Sequence, residues 1–342
     1  MKTFLLTLLL GITLTISANS QSTTLTGTEI SATRSYQESL SSLLKNYQIF
    51  EIDVVKHKIK ISSKSPFLNL ELGDNNYELN LYRNNLQVSY IDKNNQLPLL
   101  LGGSMRTGGT VSLTVNDNFL YGFIRQGGSE IFIEPLSYLV PGAAKNLFIV
   151  YNVNEVLEDK EHVCGVNETM KQEQRYAPTR MISTCNVIDI AIANTYDMVT
   201  KYSNNTGVQN HNLGVLNNVQ ANYRSEFDEN FEFNVVGHYF PTSTSNNPLL
   251  PLTSTSDAGT LLFNFRAWAE DPGNCFGSPC FNICGGGNCG GANGGFGVDY
   301  NIASLWTATD ITFGGSSGTV GLAYTPGWHN LLEDYTLSLI HI

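Results

Sequence analysis

The stretch Thr110-Val111-Ser112-Leu113-Thr114-Val115 alternates apolar and polar side chains, and Gly108-Gly109 directly before it marks a turn. A period of two is the signature of a half-buried antiparallel strand. The same alternation recurs along the N-terminal half of the chain, at residues 51–55, 57–61, 68–72, 78–81 and 129–134. The sequence therefore predicts a β-rich unit that covers residues 28–154.

The pattern changes after residue 185. Residues 187–193 form a nearly continuous apolar run, which is typical of a central strand covered on both faces. Apolar residues three or four apart then predict a helix, and Ser256 or Asp257 is placed to cap a second one. Further strands are predicted at residues 232–237, 302–306 and 320–324. This order indicates an α/β unit at residues 181–336, so we expect an α+β chain of two domains.

The N-terminus has the features of a secretory signal. Lys2 supplies a positive charge, residues 4–16 are mostly apolar, and residues 18–20 are small enough for signal-peptide cleavage. The apolar run is too short to span a bilayer, and no later segment is long enough. We therefore expect residues 1–20 to be a signal peptide and the mature chain to be secreted, without a transmembrane segment.

The charge balance narrows the range of partners. The 342 residues include 19 Lys and Arg against 30 Asp and Glu, which gives a formal net charge of −11. An acidic protein of this kind is a poor partner for nucleic acid, because phosphate repels it. We expect no nucleic-acid partner.

The six cysteines predict disulfides, which are the default in an exported chain. Four of them crowd into a Gly-rich insert and can pair among themselves, which leaves Cys164 and Cys185 as the remaining two. The crowded four are Cys275, Cys280, Cys284 and Cys289. Their spacing lacks the C-x-x-C pairs of zinc knuckles. Asn167 and Asn204 begin N-x-T sequons and are candidate glycosylation sites.

Five segments together carry a resemblance to a known family. They are residues 108–115, 120–124, 131–136, 161–165 and 319–324. The first three resemble the closing strands of the propeptide of adamalysin/reprolysin-type proteases, which are ADAM-like members of the metzincins. The pair Cys164-Gly165 is similar to the family's Cys-Gly pair, and residues 319–324 are similar to its substrate-binding edge strand.

The resemblance implies a zymogen: a β-rich propeptide domain at residues 28–154, a linker at 155–180, and a partial metzincin-like catalytic domain at 181–336. A cysteine thiolate can fill the open position of a catalytic zinc site, so Cys164 is the candidate inhibitory zinc ligand. The alternative is that Cys164 pairs with Cys185 or with another chain. Gly321, Leu322 and Ala323 are the implied substrate-binding residues.

Calcium is a second implied metal. Asp189 and Asp299 match positions at which some members of the family bind structural calcium, and ordinary surface or turn aspartates are the alternative.

The zinc motif H-E-x-x-H is absent. The histidines are His57, His162, His211, His238, His329 and His341; none precedes a Glu and no two are four apart. No catalytic residue is therefore predicted, and we interpret the chain as stopping before the active-site helix, with residues 337–342 a tail of unclear origin.

The predicted function is that of a secreted zinc-dependent metalloendopeptidase precursor, whose partners are protein or peptide substrates and an activating protease. The alternative is a non-catalytic secreted binding protein built on a propeptide and a degenerate protease-like domain.

Overall fold

The computed structural model describes residues 23–62, 67–84, 86–90, 97–157, 186–226, 231–244, 248, 256–269, 295–313, 316–319, 321–323 and 336–341. These residues form two main sheets, a closed barrel and a six-stranded sheet. The predicted signal peptide at residues 1–20 and nearly all of the predicted linker at 155–180 lie outside them. Within the described ranges, no helix has the length and apolarity needed to cross a membrane.

Nine strands of the N-terminal half curl into the barrel. They are β1 (Thr23–Ile30), β2 (Gln48–Ile52), β3 (Phe67–Leu72), β4 (Asn75–Arg83), β6 (Leu99–Met105), β7 (Thr110–Asn116), β8 (Phe119–Gln126), β9 (Ser129–Pro135) and β10 (Leu147–Asn152). Their order around the barrel is β1-β2-β10-β9-β8-β7-β6-β4-β3. Neighbours are antiparallel except β1 and β3, whose parallel pairing closes the ring. Closure leaves no open sheet edge among these nine strands.

Apolar side chains of the alternating strands fill the interior of the barrel. Leu25, Phe50, Leu70, Val111 and Leu113 are each fully buried in one apolar cluster. Two short helices lie outside the sheet, α1 (Arg34–Leu40) and α2 (Val54–Ser62). Two 3₁₀ turns follow β9 and β10, at Leu136–Tyr138 and Val153–Glu155.

Helix α2 corrects one predicted strand. Residues 57–61 alternate like a strand, yet they lie inside this helix. The reason is local, because the side chain of Asp53 accepts a hydrogen bond from the backbone N–H of Lys56 at 3.1 Å, which caps the helix start. Lys58 then reaches the barrel, where its ammonium lies 2.7 Å from Asn116 Oδ1 and 2.9 Å from Asp117 Oδ1.

The second sheet contains six strands, β5 (Gln87–Val88), β11 (Asn186–Asn194), β12 (Phe231–Tyr239), β13 (Ile302–Thr307), β16 (Gly321–Ala323) and β17 (Thr336–His341). Their order across the sheet is β16-β17-β13-β11-β12-β5. All neighbours are parallel except β16, which runs antiparallel to β17. A separate hairpin joins β14 (Ile311–Phe313) to β15 (Ser316–Thr319). Residues 337–341, predicted to be a tail, form most of β17.

Three helices accompany this sheet, α3 (Tyr196–Lys201), α4 (Asn205–Glu226) and α5 (Ala258–Ala269). The predicted central strand is confirmed as β11, with parallel neighbours on both sides. Both predicted helices are confirmed as α4 and α5. Asp257 caps α5, because its carboxylate accepts a hydrogen bond from the Thr260 N–H at 2.8 Å.

The predicted fold class, an α+β chain made of a β-rich propeptide domain and an incomplete α/β metzincin-like domain, is wrong. The described residues are mostly β, with seventeen strands, a closed nine-stranded barrel and few helices. Period-two alternation identifies strands but does not say that the first and last of them meet, so closure was missed. The second sheet is also not built from residues 181–336 alone, because β5 comes from the N-terminal half and pairs with β12.

Candidate functional site

Helix α4 packs against the barrel through a polar face, which we call the seam and which includes Asn210, His211 and Asn217. Seven polar side chains of this helix are buried: Gln209, Asn210, His211, Asn212, Asn217, Asn218 and Gln220. Buried polar groups need partners, since an unpaired one costs about 1–3 kcal/mol. The partners of the barrel-facing groups lie mainly on β6, β7 and β8, so the two halves of the molecule are joined by directed contacts as well as by apolar packing.

Asn217 is the centre of the seam. Its side-chain amide lies 3.1 Å from the backbone oxygens of both Leu101 and Leu113, to which it donates. The hydroxyl oxygens of Ser112 and Thr114 lie at the same distance. Its own amide oxygen accepts from Asn84 Nδ2 at 2.7 Å. One buried side chain therefore holds strands β6 and β7 to α4.

Close approach of the helix to the barrel depends on Gly214. A Cβ atom at this position would lie 2.8 Å from Cδ1 of Tyr121 on β8, which is closer than real Cβ contacts come. One helical turn earlier, Asn210 Oδ1 accepts a hydrogen bond from Asn116 Nδ2 at 3.0 Å. The helix thus rests on the barrel wall along at least two turns.

Aromatic rings from both halves surround His211. The imidazole stacks on Tyr202, with ring centroids 4.3 Å apart, and its Nε2 lies 3.2 Å from the Tyr202 hydroxyl. Tyr138 and Tyr121 contact it edge-on from the barrel side, at 5.3 and 5.8 Å. Burial lowers the pKa of His211 to about 3, and the positive charge of Lys201 acts in the same direction. The ring is therefore neutral at physiological pH.

A buried carboxyl group, Glu134 on β9, faces this cluster from the barrel. Burial raises the pKa of Glu134 to about 7, although a hydrogen bond from Tyr151 and the charge of Lys201 oppose the shift. The Tyr151 hydroxyl donates to Glu134 Oε1 at 2.8 Å. Desolvation lowers the pKa of Lys201, while Asp197, Glu134 and Asp310 pull it upward. Glu134 is thus poised to change protonation near neutral pH.

The side chains of the seam are better suited to holding α4 against the barrel than to catalysis. In the described parts of the chain, no group of three His, Cys, Asp or Glu side chains is placed to hold a metal ion. Glu134 and His211 are both shielded from solvent. A catalytic acid or base must reach a substrate proton, so burial of these two groups argues for a structural role.

The predicted substrate-binding residues Gly321, Leu322 and Ala323 are the three residues of β16. They pair with Ile340, Leu339 and Ser338 of β17. Strand β16 ends the sheet order, so within the described ranges no strand pairs with its outer edge. Unpaired N–H and C=O groups at such an edge can bind an extended chain.

Of the two predicted calcium ligands, Asp189 is held by hydrogen bonds to neighbouring asparagines. The Asp189 carboxylate accepts a hydrogen bond from Asn234 Nδ2 at 2.7 Å. The backbone of Asp189 exchanges hydrogen bonds with Asn301, at 2.9 Å in each direction. Asp299 is exposed two residues before Asn301. Calcium binding by this pair stays a prediction.

The remaining predicted site residues are mostly outside the described ranges. These are Asn167 and all six cysteines: Cys164, Cys185, Cys275, Cys280, Cys284 and Cys289. Asn204 is exposed just before α4, and its Oδ1 accepts a hydrogen bond from the Gly207 N–H at 2.9 Å. The cysteine switch, the disulfides and both glycans stay predictions.

Comparisons with known proteins leave the family open. No family model matches the chain, and no curated protein matches it. Among solved structures, metalloproteinase-II from Bacteroides fragilis aligns with 89% of this chain and 79% of its own, at 9% identity and a TM-score of 0.39. A likeness at that level shows neither a shared fold nor a shared activity. The adamalysin-type resemblance therefore stays a prediction.

The sequence did not point to the seam. Asn, Gln and His on a helix indicate a solvated face, and Gly214 is a helix-weakening residue. The one available signal was the concentration of such residues on a helix whose apolar positions are few. Glu134 lies in a segment used for the family resemblance, but nothing there predicted that its carboxyl group is buried.

Proposed function

We propose that this protein is a secreted peptidase precursor, with a latency-conferring barrel and a strand for binding extended polypeptides. The observation that carries the proposal is the position of β16 at the end of the second sheet, antiparallel to its neighbour. An extended peptide added to that edge would gain backbone hydrogen bonds along its length. The seam supports the latency part, since it holds the barrel against α4.

Zinc dependence is the finer part of the proposal, and the residues at hand do not fit a zinc ion. No metal-binding cluster exists in the described ranges, and the sequence contains no His-Glu dipeptide. We therefore derive no catalytic step. Three further proposals rest on the family resemblance alone. They are inhibition by Cys164, activation by another protease and binding of structural calcium.

A peptide-binding assay tests the role of β16. A fluorescent pool of short extended peptides should bind the full chain saturably, and methylation of alternate backbone nitrogens should abolish binding in one register. Leu322→Pro should remove binding, because proline deletes a strand N–H, whereas Leu322→Ala should retain most of it. Equal binding by both variants, or none by the wild type, would overturn the proposal.

A non-catalytic binding protein is the second candidate, and the missing His-Glu dipeptide favours it. Both candidates share the β16 edge, so the peptide assay does not separate them. Sequencing the gene beyond the codon for Ile342 does: an in-frame H-E-x-x-H decides for the peptidase, and a stop codon without it decides for the binding protein. Either way, the 342-residue chain alone should hydrolyse no casein, with or without added zinc.

A further inference from the structure

Residues 86–90, which we call the docked segment, leave the barrel half and join the other sheet. Gln87 and Val88 pair in parallel with Asn234 and Val235 of β12. The pairing continues one residue further, where the Ser89 N–H donates to the Val235 oxygen at 2.9 Å. The outer edge of β12 is thus filled by a strand that belongs to the opposite half of the molecule.

The docked segment binds in the manner of a peptide ligand. Leu86 is buried, and Val88 and Tyr90 pack against the same apolar cluster as Ile190 and Val235. Gln87 and Ser89 alternate with them and are exposed. Backbone pairing along a sheet edge, combined with every second side chain in an apolar surface, is how extended peptides are recognised.

A series of hydrogen-bonded side chains, Asn194, Asn212 and His238, leads to Tyr90 of the docked segment. Asn194 Nδ2 donates to the Tyr239 carbonyl oxygen at 3.0 Å, which fixes the orientation of that amide. Asn212 Nδ2 then donates to Asn194 Oδ1 at 2.7 Å and lies 3.0 Å from His238 Nε2. Since an amide N–H can only donate, His238 Nε2 must be the acceptor.

The other imidazole nitrogen is therefore left to face Tyr90. Burial lowers the pKa of His238 to about 3, so the ring is neutral and carries its proton on Nδ1. Nδ1 lies 2.7 Å from the Tyr90 hydroxyl, to which it donates, and the two rings meet edge-on at 5.3 Å. The second sheet thus presents one oriented donor for a phenol oxygen at the end of an apolar strip.

We propose that the outer edge of β12, together with His238, is a binding site for extended peptides that carry apolar residues at alternate positions followed by a tyrosine. The backbone acceptor and the oriented imidazole belong to the second sheet. The apolar cluster comes mainly from the second sheet, α3 and α4, and it also includes Leu100 and Tyr138 of the barrel half. The docked segment occupies it in cis. This inference is independent of whether the protein cleaves peptides, because it concerns the opposite end of the sheet from β16.

A tethered occupant competes strongly with any free peptide. A short tether holds its segment at an effective concentration on the order of millimolar, so free peptide gains access only when the cis contacts are weakened. Ser89→Pro deletes the hydrogen bond to Val235, and Tyr90→Ala deletes the contact with His238. Gln87→Ala changes an exposed side chain of the same segment and is the matched control.

The experiment measures the fluorescence anisotropy of a labelled peptide with the sequence of residues 84–90, added to each full-length variant. We expect both Ser89→Pro and Tyr90→Ala to bind it at least ~10-fold more tightly than the wild type and Gln87→Ala do. A peptide with phenylalanine in place of tyrosine should bind Ser89→Pro ~2- to 10-fold more weakly, which is the effect of one neutral hydrogen bond.

Two results would overturn the proposal. One is the absence of saturable binding to Tyr90→Ala, a variant whose backbone pairing is intact, when its thermal unfolding shows that it is folded. The other is equal binding of a scrambled peptide of the same composition. Peptide binding at β16 or casein cleavage has no bearing on either result, so this proposal and the proposed function fail separately.

Discussion

The barrel interior and the seam are both buried, yet they are built from opposite kinds of side chain. The interior is apolar throughout its cluster, with Leu70, Val111 and Leu113 at its centre. The seam is held by amides and aromatic rings around Asn217 and His211. Apolar burial stabilises without direction, whereas amides require one geometry. The apolar interior therefore stabilises the barrel without fixing any single contact, whereas the hydrogen bonds of the seam allow only one orientation of α4 against the barrel.

The largest effect is expected inside the barrel. Leu70→Ala removes a fully buried side chain and should lower the free energy of unfolding by about 2–5 kcal/mol, through lost burial and the cavity left behind. Leu43→Ala, at a position 40% exposed, is the control and should cost less than about 1 kcal/mol. Urea unfolding followed by circular dichroism measures both. Similar losses for the two variants would break the distinction between an apolar interior and its surface.

The next largest loss in the free energy of unfolding is expected when the side-chain amide of Asn217 is removed. Asn217→Ala leaves the Ser112 and Thr114 hydroxyls and the Asn84 amide without their shared partner, so we expect a loss of about 2–3 kcal/mol. Asn205→Ala, at the exposed start of the same helix, should change the unfolding free energy by less than about 0.5 kcal/mol. If Asn217→Leu were as stable as the wild type, directed hydrogen bonding at the seam would be unnecessary.

Acid should weaken the protein through its buried histidines. His211 and His238 stay neutral in the folded state down to a pKa of about 3, while the unfolded chain binds protons below about 6.5. Each histidine therefore removes about 1.4 kcal/mol per pH unit as the pH falls below 6.5. Glu134 acts in the opposite direction, because its raised folded pKa gives a contribution that is present below pH 4.5 and is lost as the pH rises through 7.

The variant Glu134→Gln separates the effect of the buried histidines on stability from that of the Glu134 carboxyl group. Without the opposing carboxyl, the variant should lose about 2 kcal/mol more than the wild type between pH 7 and pH 5, as measured by urea unfolding at each pH. Glu226→Gln, at an exposed position on α4, is the control and should follow the wild type. A Glu134→Gln profile parallel to that of the wild type would mean that this carboxyl is hydrated.

The smallest effect is expected on the surface of α1. Arg34 and Glu38 form an ion pair at 2.8 Å, with side chains 92% and 66% exposed. Water and salt screen such a pair, so Arg34→Ala should change the unfolding free energy by less than about 0.5 kcal/mol. The measurement sets the scale against which the Asn217 effect is judged. A loss above 1 kcal/mol would show that surface charge rivals the seam in this protein.

The sequence predicted several strands and the two main helices, because each has a local signature, although the predicted strand at residues 57–61 is helical. Residues 110–115 alternate, residues 187–193 are apolar except for Asp189, and Asp257 caps the helix that follows it. Closure of the barrel and the crossing of β5 into the second sheet were not predictable, since both join residues far apart in the chain. The fold class was wrong for that reason.

The candidate site was predicted only in part. Gly321, Leu322 and Ala323 were predicted as an edge strand that binds substrate. They form the terminal strand of the sheet within the described ranges, and substrate binding there stays a prediction. Asn217, His211 and Glu134 were missed, because polar residues indicate exposure unless their partners are known. Those partners lie on β6, β7, β8 and β10 or just after α3, and no spacing along the chain reveals them.

Closure of the barrel also constrains the order in which the protein can fold. Strand β2 pairs with β10, so Phe50 meets Phe148 across almost the whole of the N-terminal half. A chain emerging from the ribosome cannot complete the ring until Asn152 is free, and pairing between such distant segments slows folding. Until then β2 keeps one edge unpaired, which is the stage at which a nascent chain is most prone to pair with a neighbour.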